Sequence, residues 1–236
     1  MINILLNSYT FDSDYCYDSL KNIISAEMRV LVFPFGFRSK QIANTKEWER
    51  LYNRENGLFS IGLAKVFSSY GVPIDQIEWI NYFSASRENL VKKIRSSDIL
   101  YFCGGLPDIM YSRLSEFDIL DELKDFDGIV MGDSAGAVIQ LDEYHISPDP
   151  DYHTFHYQNG LGYIRGFDIE VHYTGTPIQN ESIDTVLLEK KIPVFAIAPN
   201  GVLVVDSNNY KSNVKQGTKV TSIGNVHVFF PTTDDV

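Results

Sequence analysis

A glycine-flanked serine, Gly132-Asp133-Ser134-Ala135-Gly136, joins an apolar run (Gly128-Ile129-Val130-Met131) to a stretch with helical spacing from Ala135 to Leu141. A G-x-S-x-G turn between a strand and a helix is the setting of a nucleophile elbow. The constraint is steric: a serine forced into so tight a turn adopts strained backbone angles, and its neighbours must be nearly free of side chain. Gly132, Ala135 and Gly136 meet that demand. The turn then presents the hydroxyl at the carboxyl edge of a sheet, beside the free N–H groups of a helix N-terminus. The plainer alternative is a small-residue turn selected for packing alone.

The segments around the elbow read as an alternation of strands and helices. Ile2 to Leu6, Arg29 to Phe35, Gln76 to Tyr82 and Ile99 to Cys103 carry strand patterns. Ser19 to Ala26, Trp48 to Tyr70 (with a break near Glu55-Asn56-Gly57), Ser86 to Ile94 and Pro107 to Phe126 carry helical ones. Continuous apolar strands separated by helices imply a parallel sheet covered on both faces. Asp142 to Gly166 is polar, aromatic and loop-like, and its Tyr152 to Tyr163 part could be a lid, a dimer contact or a satellite cluster. Phe167 to Tyr173, Pro193 to Ala198 and Val202 to Asp206 then read as strands, with a helix over Ile178 to Lys191. Lys219 to Ile223 and Val226 to Phe230 read as an antiparallel hairpin across Gly224-Asn225. The expectation is one α/β domain over residues 1–236: a doubly wound, mostly parallel sheet with helices on both faces and a C-terminal antiparallel hairpin.

Composition excludes several functions. The net charge is −11 and no Lys/Arg run interrupts it, which argues against nucleic-acid and anionic-membrane partners. No stretch approaches the roughly 20 apolar residues of a membrane span, and the N-terminus reads as a strand, not a signal peptide. Two cysteines, Cys16 and Cys103, form no disulfide framework; with Cys103 in an apolar run, they point to a reducing, cytoplasmic setting.

A serine hydroxyl needs a base and oxyanion donors to act as a nucleophile. The N–H of Ala135 is one donor candidate, and the glycine turn Gly104-Gly105-Leu106-Pro107 offers the second. That turn lacks the G-x-G-x-x-G and Walker patterns of phosphate cradles. Of five histidines, His145, His153 and His156 lie in the polar segment after the elbow. His153 and His156, near Asp149 and Asp151, lack a helical frame and a further ligand, so no metal is expected. His227 alternates with Val226 and Val228 in the last strand pattern. His172 ends the strand Phe167 to Val171 and has the position of a base.

Cys-Gly-Gly at 103–105, Gly-Asp-Ser-Ala-Gly-Ala at 132–137 and Val-His-Tyr at 171–173 resemble the serine peptidases related to peptidase E, which include α-aspartyl dipeptidases and cyanophycinases. The resemblance spans the chain to about Asp206. It implies a class I glutamine amidotransferase-like (flavodoxin-like) fold, with serine in place of that group's cysteine. It also implies Ser134 as nucleophile, His172 as base, and Gly105 and Ala135 as oxyanion-hole donors. The substrate would be a small peptide, no cofactor is needed, and the chain would act as a monomer or homodimer. The family's triad acid corresponds either to Asp149 (or Asp151) in the loop after the elbow, or to Asn200 in Pro199-Asn200-Gly201, where relatives carry Glu or Asp. An amide fixes an imidazole tautomer but stabilises an imidazolium poorly. Aspartyl dipeptidases carry an arginine in the helix after the histidine; Ile178 to Asp184 has no Arg or Lys. Arg87, Lys92 and Arg113 lie elsewhere and read as solvated surface charges.

The leading reading is a serine hydrolase that cleaves a peptide or amide bond through an acyl-enzyme. Two others stand beside it: an α/β-hydrolase esterase with the order Ser134, Asp206, His227, and a binding or regulatory relative that keeps the elbow without turnover.

Overall fold

In the computed structural model of the chain, which describes residues 1–207 and 218–232, apolar segments pair in parallel at the centre of one sheet. They are β1 (Ile2–Leu6), β2 (Val30–Phe33), β3 (Ile77–Trp79), β4 (Ile99–Phe102) and β5 (Ile129–Asp133), in the spatial order β1-β5-β4-β2-β3. Alternate residues of these strands enter opposite cores. Ile4, Val32, Tyr101 and Met131 pack with Leu20, Trp48 and Phe67 of α1 (Tyr17–Leu20), α2 (Thr45–Tyr52) and α3 (Leu58–Ser69). Leu31, Phe102 and Val130 pack with Leu90, Met110 and Leu123 of α4 (Arg87–Ser96), α5 (Pro107–Glu116) and α6 (Leu120–Lys124). Both faces are therefore covered, which explains why the strands read as unbroken apolar runs. The fold is the doubly wound, mostly parallel α/β architecture anticipated from the sequence.

The long helical pattern from Trp48 to Tyr70 divides into α2 and α3, at the break expected near Gly57. The short α7 (Ala135–Val138) follows β5 directly. The segment from 142 to 166, read as loop, contains an antiparallel pair, β6 (Glu143–Ile146) and β7 (His156–Asn159). β8 (Asp168–Val171) and α8 (Pro177–Glu189) come next.

The last strands differ from the sequence expectation in their boundaries. Val194–Asp206 is one strand, β9, and Lys219–Phe229 is one strand, β10. The antiparallel hairpin forms between β9 and β10, not within β10 across Gly224-Asn225. The residues that read as turns are irregularities inside long strands: Asn200 has φ 63°, and the β9–β10 register shifts between Gly224 and Val226. A bulge absorbs the turn-forming residues because each has a long partner to return to.

β9 also organises the site. Along the flank opposite β10, its first residues pair in parallel with β8 and its last residues pair antiparallel with β1. β8 and β1 thus approach one another end to end, and the residue after β8 meets the carboxyl edge of the central strands.

Gly136 fixes how closely α7 packs on that edge. A Cβ there would lie 1.8 Å from the Phe102 carbonyl oxygen of β4, so only glycine permits the approach. Gly136→Ala is expected to lower unfolding free energy by about 1–3 kcal/mol through overpacking, read as a fall in the urea midpoint without a change in slope.

Candidate active site

Ser134 is the cap residue between β5 and α7, with φ 51° and ψ −114°. A non-glycine residue at these angles is strained, and the neighbours hold it there: its N–H donates to Leu6 O at 3.0 Å, and α7 is pressed onto β4 through Gly136. Glycine at 132 and 136 is therefore required by backbone contact.

His172 follows β8 and also has positive φ, 55°. Its N–H donates to the Oδ1 of Asn7, the residue after β1, at 2.7 Å, and the N–H of Tyr173 donates to Ile197 O of β9. These bonds bring the ring to the serine: His172 Nε2 lies 2.8 Å from Ser134 Oγ. The ring is partly exposed, yet its burial holds its pKa below the ordinary 6.5, against an opposing pull from the Glu170 charge. The imidazole is thus neutral near pH 7 and able to accept a proton.

The Gly104-Gly105 turn lies beside the elbow, since a Cβ on Gly104 would come within 3.5 Å of the Ser134 Cβ. Gly105 has φ 138°, and a side chain there would meet Gly36 O at 2.3 Å. Neither Gly105 N–H nor Ala135 N–H donates to another group among the described residues.

The remaining predicted residues fall elsewhere. Asp149 accepts from the N–H groups of Asp151 and Tyr152, both at 2.8 Å, in an Asx turn. Asp151 is paired with Arg38. Asn200 is exposed in the irregular part of β9. None of the three is hydrogen-bonded to His172. Asp206 pairs with Ile2 at the amino end of β1, the edge of the sheet opposite Ser134, and exposed His227 packs its ring on Tyr173. The esterase order is therefore not assembled. Arg113 is buried, not solvated, and donates to the carbonyls of Phe35 and Phe37. Arg87 pairs with Asp118 and Glu122, and Lys92 is exposed. Among the described residues no cluster of His, Cys, Asp and Glu could hold a metal ion, and no helix is long and apolar enough to cross a membrane.

Sequence reasoning missed the support behind His172. His145, expected in a polar loop, is fully buried between Asp168 (Nδ1 to Oδ2, 2.9 Å) and Glu170 (Nε2 to Oε2, 2.8 Å). Glu170 Oε1 accepts from Gln179 Nε2 at 3.0 Å, and the same amide donates to the His172 carbonyl at 3.1 Å. Gln179 is itself fixed by the capping box with Thr176 that starts α8. The signal was Asp168-Ile169-Glu170-Val171-His172, whose polar residues alternate at the strand period.

Solved structures share this arrangement of strands and helices. A putative peptidase E protein from Listeria monocytogenes EGD-e superposes with a TM-score of 0.63 at 16% identity, covering 95% of this chain and 98% of that one. A peptidase from an acI-B1 Actinobacterium superposes with a TM-score of 0.59 at 14% identity, covering 98% and 90%. The chain has a peptidase E-like fold. At this identity the likeness speaks for the fold alone. No family profile and no curated protein matches the sequence.

The buried histidine has a measurable consequence. Burial disfavours its charge, but Asp168 and Glu170 outweigh that and push its pKa up to about 10. A raised pKa contributes stability that is complete below 6.5 and is lost as pH rises through 10. Urea unfolding from pH 7 to 10.5 should show a decline in stability that is shallower in His145→Gln, because that variant has no such proton to lose.

Proposed function

We propose that the protein is a serine hydrolase that cleaves a peptide or amide bond of a small peptide through an acyl-enzyme on Ser134. The observation that carries this reading is the 2.8 Å contact between His172 Nε2 and Ser134 Oγ at a strained strand-to-helix turn. His172 takes the hydroxyl proton as Oγ attacks the carbonyl carbon. The resulting oxyanion rests on the N–H groups of Gly105 and Ala135. His172 then gives the proton to the leaving amine as the C–N bond breaks. Water, deprotonated by the same imidazole, attacks the ester, and Ser134 recovers its proton as the acid product departs.

In this reading the base works without a carboxylate hydrogen-bonded to it among the described residues. Its orientation comes from the backbone bonds to Asn7 and Gln179, and the nearby Glu170 charge favours the imidazolium that forms. The same feature favours a second reading: with no acid or amide on the far ring nitrogen among the described residues, the chain is a binding or regulatory relative with little turnover.

Hydrolysis of a dipeptide and aminoacyl-amide panel decides between them. The enzyme reading expects turnover that falls about 10⁴-fold or more in Ser134→Ala and in His172→Ala. It also expects kcat/KM to rise with pH, with a midpoint below 6.5, because the base must be unprotonated and burial lowers its pKa. Absence of turnover across the panel, or turnover unchanged in Ser134→Ala, contradicts it.

A further inference from the structure

Ser134 stands between two unlike surroundings. His172 approaches from the β8 side. On the other side, past Gly104 and Gly105 and at the carboxyl ends of β2, β3 and β4, lies a cavity of about 300 Å3. Its lining includes Tyr9, Tyr52, Phe59, Trp79, Tyr101 and Asp133, the neighbour of the serine. The Asp133 carboxylate accepts from the Gly104 N–H and, through Oδ1, from the Tyr101 hydroxyl at 2.8 Å. No Lys or Arg pairs with this carboxylate among the described residues. The one cation in the lining, Arg38, is held by Asp151. The indole N–H of Trp79 is buried without a partner.

The chemistry orients a substrate across this site. A leaving amine must depart on the side of the imidazole that protonates it. With the oxyanion on Gly105 and Ala135, the substituent of the acyl carbon then points toward the cavity. Resting on the serine-hydrolase reading above, we propose that the cavity is the acyl-side pocket and that it selects an acyl group bearing an ammonium, held between the Asp133 carboxylate and the aromatic rings. An aromatic box with one carboxylate attracts a cation by charge and by the ring quadrupoles together. A neutral group of equal size would leave the carboxylate desolvated and without a countercharge, at a cost. An acidic group would meet the carboxylate directly, and Arg38 is already neutralised. The pocket is thus the electrostatic opposite of one made for aspartyl substrates. The ammonium can come from a lysine-like side chain or from a free α-amine, which share this chemistry.

Binding to Ser134→Ala tests the pocket apart from turnover. Benzylamine and benzyl alcohol, titrated at pH 7.5 and followed by tryptophan fluorescence, should differ at least tenfold in Kd, with the amine tighter. The ratio should fall to within twofold in Ser134→Ala/Asp133→Asn. In Ser134→Ala/Phe59→Ala, where a partly exposed ring is lost, both ligands should weaken and the ratio should persist. Equal affinities in Ser134→Ala, or a ratio that survives Asp133→Asn, overturn the proposal. In the wild type, coumarylamides of acetyl-lysine, acetyl-norleucine and free-amine norleucine separate the two sources of the ammonium. A preference for the first over the second assigns a side-chain amine, and for the third over the second an α-amine. Equal kcat/KM for all three overturns the acyl-side assignment. Inactivity toward all three with the benzylamine preference intact counts against the hydrolase reading and leaves the pocket standing.

Discussion

The contact between Ser134 and His172 depends on two backbone distortions that meet. One is the turn after β5, where glycine at 136 lets α7 press against Phe102 and holds the serine at positive φ. The other is the residue after β8, also at positive φ, tied to Asn7 and to β9. Neither conformation is favoured locally, and each persists because long strands over-determine it. β9 is the common frame. By pairing with β8 through its first half and with β1 through its second, it sets these two strand ends against each other, so that His172, after β8, meets Ser134, which follows β5, the neighbour of β1.

Electrostatics divides the site into two parts. Behind His172, the buried His145 ring is balanced by Asp168 and Glu170, and Gln179 links that cluster to the backbone of His172. Such a buried array is costly to break once one partner is removed, so it serves to fix geometry. Before the Gly104-Gly105 turn, Asp133 lies among aromatic rings with no cation paired to it among the described residues, and burial pushes its pKa up to about 6 despite the Tyr101 and Gly104 hydrogen bonds. The first carboxylate cluster is satisfied by the protein. The second carboxylate has hydrogen-bond donors but no countercharge among the described residues.

Much of the architecture was legible because the central strands are buried on both faces and announce themselves as apolar runs. The elbow was legible because its steric demand leaves a local mark in glycines. The C-terminal pairing was not, since a bulge and a turn use the same residues, and Gly224-Asn225 carries no sign of which strand will return along it. The environment of His145 was hidden for a related reason: its partners are 23 and 25 residues away, and a polar segment looks solvated until a strand of alternating Asp and Glu is laid beside it. Asp149 and Asn200 illustrate the reach of motif offsets. The family resemblance suggested them as third members, but the Asx turn takes up one carboxylate and the β9 irregularity leaves the amide exposed.

The account stands on Ser134 being an activated nucleophile, and the rate of its covalent capture measures that directly. A fluorophosphonate followed by intact mass and peptide mapping should add one phosphonyl group at Ser134, with a second-order rate at least a hundredfold slower in His172→Ala. Capture at other serines, or a rate at Ser134 indifferent to the loss of the imidazole, would contradict it.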